Sequence, residues 1–117
     1  MKISPGSILW VAFPFDGGKA TKNRPALVLG VEETLNGVRV VVAYGSTQKV
    51  SRDGHLAHEL VLCESREFRR AGLREPTRFD LSRRASLPLG DIKGEVGTLP
   101  ADKDVWRRLR RACVAAA

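Results

Sequence analysis

Short apolar runs alternate with polar, glycine-bearing breaks along this chain, a rhythm that fits strands joined by turns better than it fits helices. The first run, Ile8-Leu9-Trp10-Val11-Ala12-Phe13, ends at Pro14. Asp16-Gly17-Gly18 then predicts a turn, followed by a polar loop through Lys19, Thr21, Lys22 and Asn23. Pro25 opens a second run, Ala26-Leu27-Val28-Leu29, and its missing N–H predicts that it takes the strand's first position. Asn36-Gly37 is a hairpin signal, so this strand should pair antiparallel with residues 38–44.

The small polar residues Gly45-Ser46-Thr47-Gln48 and a loop with Asp53-Gly54 lead to a fourth strand, Glu59-Leu60-Val61-Leu62. From Cys63 to Leu73 the spacing changes to that of a short helix, with Ser65 as its expected cap and Gly72 at its end. Residues 76–81 then alternate polar and apolar with period two, which places Arg78 and Asp80 on one wet face. The stretch punctuated by Pro88, Gly90, Gly94 and Gly97 has room for one or two short strands, around residues 87–89 and 95–96. Pro100-Ala101-Asp102 starts a closing helix with acids in its first turn and arginines in its last; Val105, Leu109 and Ala112 form its apolar stripe, flanked by Trp106 and Cys113. The expectation is a mainly β fold, a small twisted barrel with one short internal helix and one C-terminal helix.

Composition narrows the picture. The 117 residues are expected to form a single domain, and 43% hydrophobic content is enough to build a core. No apolar run is long enough to span a bilayer as a helix, and the N-terminal segment does not read as a signal peptide, so a cytoplasmic protein is expected. Cys63 and Cys113 read as reduced thiols filling gaps in the core. His55 and His58 near Glu59 lack further ligands at metal-binding spacing and read as surface histidines; no metal or cofactor is expected.

The net charge of +7 is unevenly placed. Residues 64–84 carry seven arginines against four acids, and Arg107, Arg108, Arg110 and Arg111 crowd the last helix. Arginine's planar fork suits phosphate or carboxylate, which points to nucleic acid or an acidic peptide as partner. Arg24, held extended by Pro25, joins Ser46, Gln48, Arg78 and Asp80 as the groups able to act on a phosphodiester. Cations would offset charge on the non-bridging oxygens, and acid and base groups would move protons. From the residues alone, an ordinary Arg78–Asp80 salt bridge and plain turn roles for Ser46 and Gln48 remain open.

The blocks Pro5-Gly6-Ser7-Ile8-Leu9-Trp10-Val11, Phe13-Pro14, Lys22-Asn23-Arg24-Pro25-Ala26-Leu27-Val28-Leu29, Val42-Ala43-Tyr44-Gly45-Ser46-Thr47-Gln48, Ala71-Gly72-Leu73-Arg74-Glu75-Pro76-Thr77-Arg78-Phe79-Asp80 and Gly97-Thr98-Leu99 together resemble the MazF/PemK (Kid) family of toxins from bacterial toxin–antitoxin pairs. The resemblance implies an SH3-like β-barrel of MazF/PemK/CcdB type, a homodimer, and metal-independent cleavage of single-stranded RNA that leaves a cyclic phosphate. It implies Arg24, Ser46, Arg78 and Asp80 as the catalytic set, with Asp80 the candidate base and the arginines stabilising the phosphorane. Lys19, Lys22, Asn23, Thr47, Gln48 and Lys49 are then the expected RNA contacts, Gln48 holding the scissile phosphate with Ser46. It also implies an antitoxin with an acidic C-terminal tail as partner. The chain departs from the family pattern at Lys19-Ala20-Thr21, where a Glu-Gln pair is common and PemK-type members have a histidine, and at Ser46, where threonine is usual. A non-catalytic module on the same barrel, binding nucleic acid or inhibiting a protein as CcdB does gyrase, is the alternative.

Overall fold

In the computed structural model, which describes residues 2–14, 21–51 and 55–117, six strands form one antiparallel sheet accompanied by two helices. The strands are β1 (Ser7–Pro14), β2 (Thr21–Thr34), β3 (Gly37–Ser46), β4 (Glu59–Leu62), β5 (Thr77–Pro88) and β6 (Ile92–Thr98). The helices are α1 (Ser65–Phe68) and α2 (Lys103–Ala116), and the order across the sheet is β4-β5-β3-β2-β1-β6. The turn expected at Asp16-Gly17-Gly18, Lys19, and the loop at Asp53-Gly54 lie outside the described residues.

Both faces of the central strands are apolar, and alternation along each strand sorts its side chains between two clusters. Ile8, Leu27, Ala43, Leu60, Leu62, Phe79 and Leu81 point to the face covered by the helices, where Val105, Leu109 and Ala112 of α2 complete the packing. Leu9, Val11, Ala26, Val28, Val40 and Val42 point the other way. That second cluster is also packed by Ala85 and Leu87 of β5 and by Ile92 of β6, strands that are not ladder neighbours. The sheet therefore curls around this cluster in the manner of a small barrel, its turning aided by register irregularities in the β1–β6, β2–β3 and β3–β5 ladders.

Several elements differ from their sequence expectation. Lys22 and Asn23 belong to strand rather than loop, because β2 begins at Thr21 and pairs with β1 through Lys22 and Asn23. Pro25 sits inside β2, at a point where the strand pairs with β1 and its ladder with β3 starts only at Ala26, so a residue without a donor is tolerated there. The short strand expected near Leu87 is the end of the long β5, and β6 spans seven residues. Ser65 does not cap α1; extended Glu64 holds the N-cap position, without a side-chain capping bond to the helix N–H groups. Helix α2 runs four residues past Ala112, which leaves its arginines in the middle rather than in the last turn. Its start matches expectation, with Asp102 accepting from the backbone N–H groups of Asp104 and Val105.

One close approach locks the segment after α1 to the sheet. Gly72, at φ +87°, and Gly97 on β6 cross so tightly that a Cβ at Gly72 would lie 2.2 Å from the Val96 carbonyl oxygen, and one at Gly97 would lie 2.3 Å from that of Ala71. Only glycine fits either position. Ala71 and Leu73 are thereby pressed into the helix-side core.

Candidate functional site

Three of the four candidate catalytic residues lie in one row across the middle of the sheet. Ser46, the last residue of β3, is the direct register partner of Arg78 on β5. Ala26 of β2 is the partner of Tyr44, and continuing that register by two residues brings Arg24 level with Ser46. A direct pair such as Ser46 and Arg78 stands about 4.5–5.5 Å apart at Cα. Arg24 shares its face with Ala26 and Val28, and Arg78 faces away from Phe79, so both arginines lie on the side of the sheet opposite the helices. The Arg24 side chain is half-buried, with its Nε shielded from solvent.

Arg78 is the best-anchored member. Its Nε donates to the Gln48 carbonyl oxygen at 2.8 Å and its Nη1 donates to Glu59 Oε2 at 2.6 Å. The Glu59 carboxylate is only 6% exposed, and its other oxygen, Oε1, accepts from the Leu56 backbone N–H at 2.8 Å. A carboxylate placed this far from water is tolerated only when paired and hydrogen-bonded, and both conditions hold. Glu59 reaches Arg78 diagonally, since the direct partner of Arg78 on β4 is Val61 and that of Glu59 is Asp80.

Asp80 stands one step further along β5 on the same face. Its Oδ1 accepts from the Ser82 backbone N–H at 2.9 Å and from Ser82 Oγ at 2.5 Å, and His58 Nε2 lies 3.5 Å away. The salt bridge of Arg78 is thus made with Glu59, while Asp80 has a serine and a histidine for company. Among the described residues, no three His, Cys, Asp or Glu side chains converge as a metal site.

The segment after β3 turns rather than staying extended. Gln48 N–H donates to Ser46 Oγ at 3.1 Å and Lys49 adopts φ 54°, so Ser46 and Gln48 do not project in parallel; the Gln48 main chain, instead, is what touches Arg78. Thr47, Gln48 and Lys49 are exposed at this end of the row, as are Lys22 and Asn23 on β2. Alternation puts Asn23 on the face opposite Arg24. Lys19 is outside the described residues. Tyr44 flanks the row: burial, and then the charge of Asp91, raise its phenol above the ordinary value, so it remains a neutral donor at physiological pH.

Among the described residues, three of the other arginines pair with acids of this chain. Arg108 on α2 pairs with Glu67 and Asp104 and donates to the Val61 carbonyl at 2.9 Å, covering the outer edge of β4; Arg107 pairs with Asp104, and Arg66 with Glu64. A groove of about 600 Å³ lies beside that edge, between β4 and α2, with Cys63 and Arg111 in its walls; Glu59 borders both the groove and the arginine row. Cys63 and Cys113 are free thiols.

Sequence reasoning missed Glu59 as a site residue and His58 as a neighbour of Asp80. The available signal was a charge at the head of an otherwise apolar four-residue strand, Glu59-Leu60-Val61-Leu62, all four of which are buried. Which cation it meets depends on strand pairing, which a single sequence does not display.

Known proteins share this fold. A family model described as the PemK-like, MazF-like toxin of type II toxin-antitoxin systems matches residues 4–113. Among solved structures, the Mycobacterium tuberculosis toxin MazF-mt6 superposes with a TM-score of 0.63 at 24% identity, covering 92% of this chain and 94% of that one. An endoribonuclease in complex with its cognate antitoxin, from a mycobacterial species, gives 0.66 at 13% identity over 98% and 94%. A mycobacterial endoribonuclease gives 0.66 at 11% identity over 97% and 89%. At such identities these likenesses show a shared fold. No curated protein gives a significant match.

Proposed function

Because this chain belongs to the PemK-like, MazF-like family of type II toxin-antitoxin toxins, we propose that it is an endoribonuclease that cuts single-stranded RNA by attack of the 2′-hydroxyl on the adjacent phosphorus. The observation that carries the reading is the row Arg24, Ser46, Arg78, in which two arginine positions flank a serine on one face of the sheet. A phosphate seated over Ser46 receives charge-assisted hydrogen bonds from both arginines, and these strengthen as negative charge accumulates on the pentacoordinate phosphorus.

In the proposed reaction the 2′-oxygen bonds to phosphorus, the bond to the 5′-oxygen breaks, and a 2′,3′-cyclic phosphate remains. Asp80, two residues from Arg78 on the same face, accepts the 2′ proton; His58, whose Nε2 lies 3.5 Å from Asp80, supplies one to the departing 5′-oxygen. Thr47, Gln48, Lys49 and Lys22 contact the neighbouring nucleotides, whereas Asn23, on the opposite face, does not. Unpaired RNA exposes the 2′-hydroxyl and the bases to such a shallow surface. A homodimer and an acidic antitoxin tail as inhibitor complete the reading, in line with the antitoxin-bound endoribonuclease that shares this fold.

The test is incubation of purified protein with a long unstructured RNA in EDTA. Fragments ending in 2′,3′-cyclic phosphate and 5′-hydroxyl are expected, with none from Arg24→Ala and none at a site carrying a 2′-deoxy sugar. Intact RNA with the unaltered protein, or cutting of the 2′-deoxy site, overturns the proposal.

A further inference from the structure

We propose that Glu59 is the positioning residue of this centre: it fixes the Arg78 guanidinium over the Ser46–Gln48 turn and ties the β3–β4 connection to the same group. The inference rests on the ribonuclease reading and adds a residue that reading does not need. A guanidinium carries five N–H groups in one plane. On Arg78 one flank is held through Nε by the Gln48 carbonyl and the other through Nη1 by Glu59 Oε2, which leaves the tip, Nη2, uncommitted among the described residues. Free rotation would spread that tip over many orientations; two anchored flanks aim it.

Glu59 is suited to this because it is itself immobile. It lies on the buried strand β4, its side chain is almost fully enclosed, and its second oxygen is engaged by Leu56 N–H. The chain Gln48 C=O, Arg78, Glu59, Leu56 N–H therefore joins both ends of the connection between β3 and β4 to one cation. Stability alone does not call for such a pair, since a well-packed apolar couple in its place is often as stable or more so. A cation that must be both aimed and half-exposed, as Arg78 is, does call for it.

The experiment compares the unaltered chain with Glu59→Gln, which keeps the shape and one acceptor oxygen but removes the charge. With a short RNA containing one cleavage site, kcat should fall 10- to 100-fold, the range a misplaced catalytic group produces, while KM stays within about threefold. The Kd for the same oligonucleotide with a 2′-deoxy sugar at the site should also stay within about threefold. Unchanged kcat overturns the proposal, and so does a loss of kcat matched by an equal loss of affinity or by the unfolded fraction in a thermal melt. The guanidinium NMR signals of Arg78 supply a readout independent of activity: slowed rotation about Cζ–Nη1 is expected in the unaltered protein and averaged signals in Glu59→Gln. If the unaltered protein cuts no RNA, the ribonuclease reading fails by itself, and identical Arg78 signals in the two proteins then overturn the positioning role separately.

Discussion

Replacing Arg78 with alanine should unfold much of the margin that keeps this domain native, quite apart from any effect on RNA. The guanidinium is the ion-pair partner of Glu59, whose side chain is 6% exposed, and removing it strands a charge in a nearly dry site. Breaking a buried pair from one side costs about 3–5 kcal/mol. Because 27% of the Arg78 side chain is accessible, water reaches part of the pair and the lower end, about 3 kcal/mol, is expected. Against a total of about 5–15 kcal/mol for a domain of this kind, that is a large share. At about 4 °C per kcal/mol, the melting temperature should drop by about 12 °C. Changing both partners, Arg78→Met with Glu59→Gln, removes the stranded charge and keeps an acceptor for Leu56 N–H, so stability should return to within about 1–2 kcal/mol of the original. The assay is urea unfolding of the three proteins at pH 7, followed by thermal melts. A single variant within about 1 kcal/mol of the original, or a double variant no better than the single, refutes the reasoning. The comparison also matters for toxicity assays, in which Arg78→Ala can lose effect through unfolding whereas the double variant tests the chemistry.

Two further outcomes follow from the geometry. Gly97→Ala should cost about 1–3 kcal/mol in urea unfolding, since its Cβ would meet a backbone carbonyl that cannot rotate away, and Gly72→Ala should cost about 1 kcal/mol more because its φ is positive; near-neutral variants would show that the two segments can part easily. The Asp104 carboxyl, held below its usual range first by the hydrogen bond from Arg107 and then by Arg108, favours the folded state above the ordinary carboxylate pKa near 4, and that contribution is lost as pH falls through the lower folded value. Acid titration monitored by circular dichroism should show a small loss in this window that Asp104→Asn removes and added salt diminishes; an identical acid limb in the variant contradicts the assignment.

Periodicity and turn chemistry made the strands legible. Asn36-Gly37 marked the β2–β3 hairpin, and the alternation Thr77-Arg78-Phe79-Asp80-Leu81 correctly separated a buried face from a wet one. Ends were less legible, because they depend on partners. Lys22 and Asn23 are polar enough for a loop, yet they extend β2 because β1 is there to pair with them. The arginines of α2 read as one positive surface, yet Arg108 and Arg107 are bound to acids, and α2 lies across the sheet from Arg78. Charge can be counted along a chain, but its destination is set by folding.

The sequence by itself determined the strand-rich architecture, the glycines that a tight crossing requires and the residue types a phosphate needs, since these depend on local periodicity and chemistry. Only the tertiary structure decided which of those residues stand together. Arg24, Ser46 and Arg78 share a row because the β2–β3 hairpin and β5, distant from it in the chain, settle in one register, and Glu59 meets Arg78 diagonally across the β4–β5 ladder while standing directly opposite Asp80. Such pairings are fixed by the combined burial of both sheet faces, a property of the folded chain as a whole that no single segment carries.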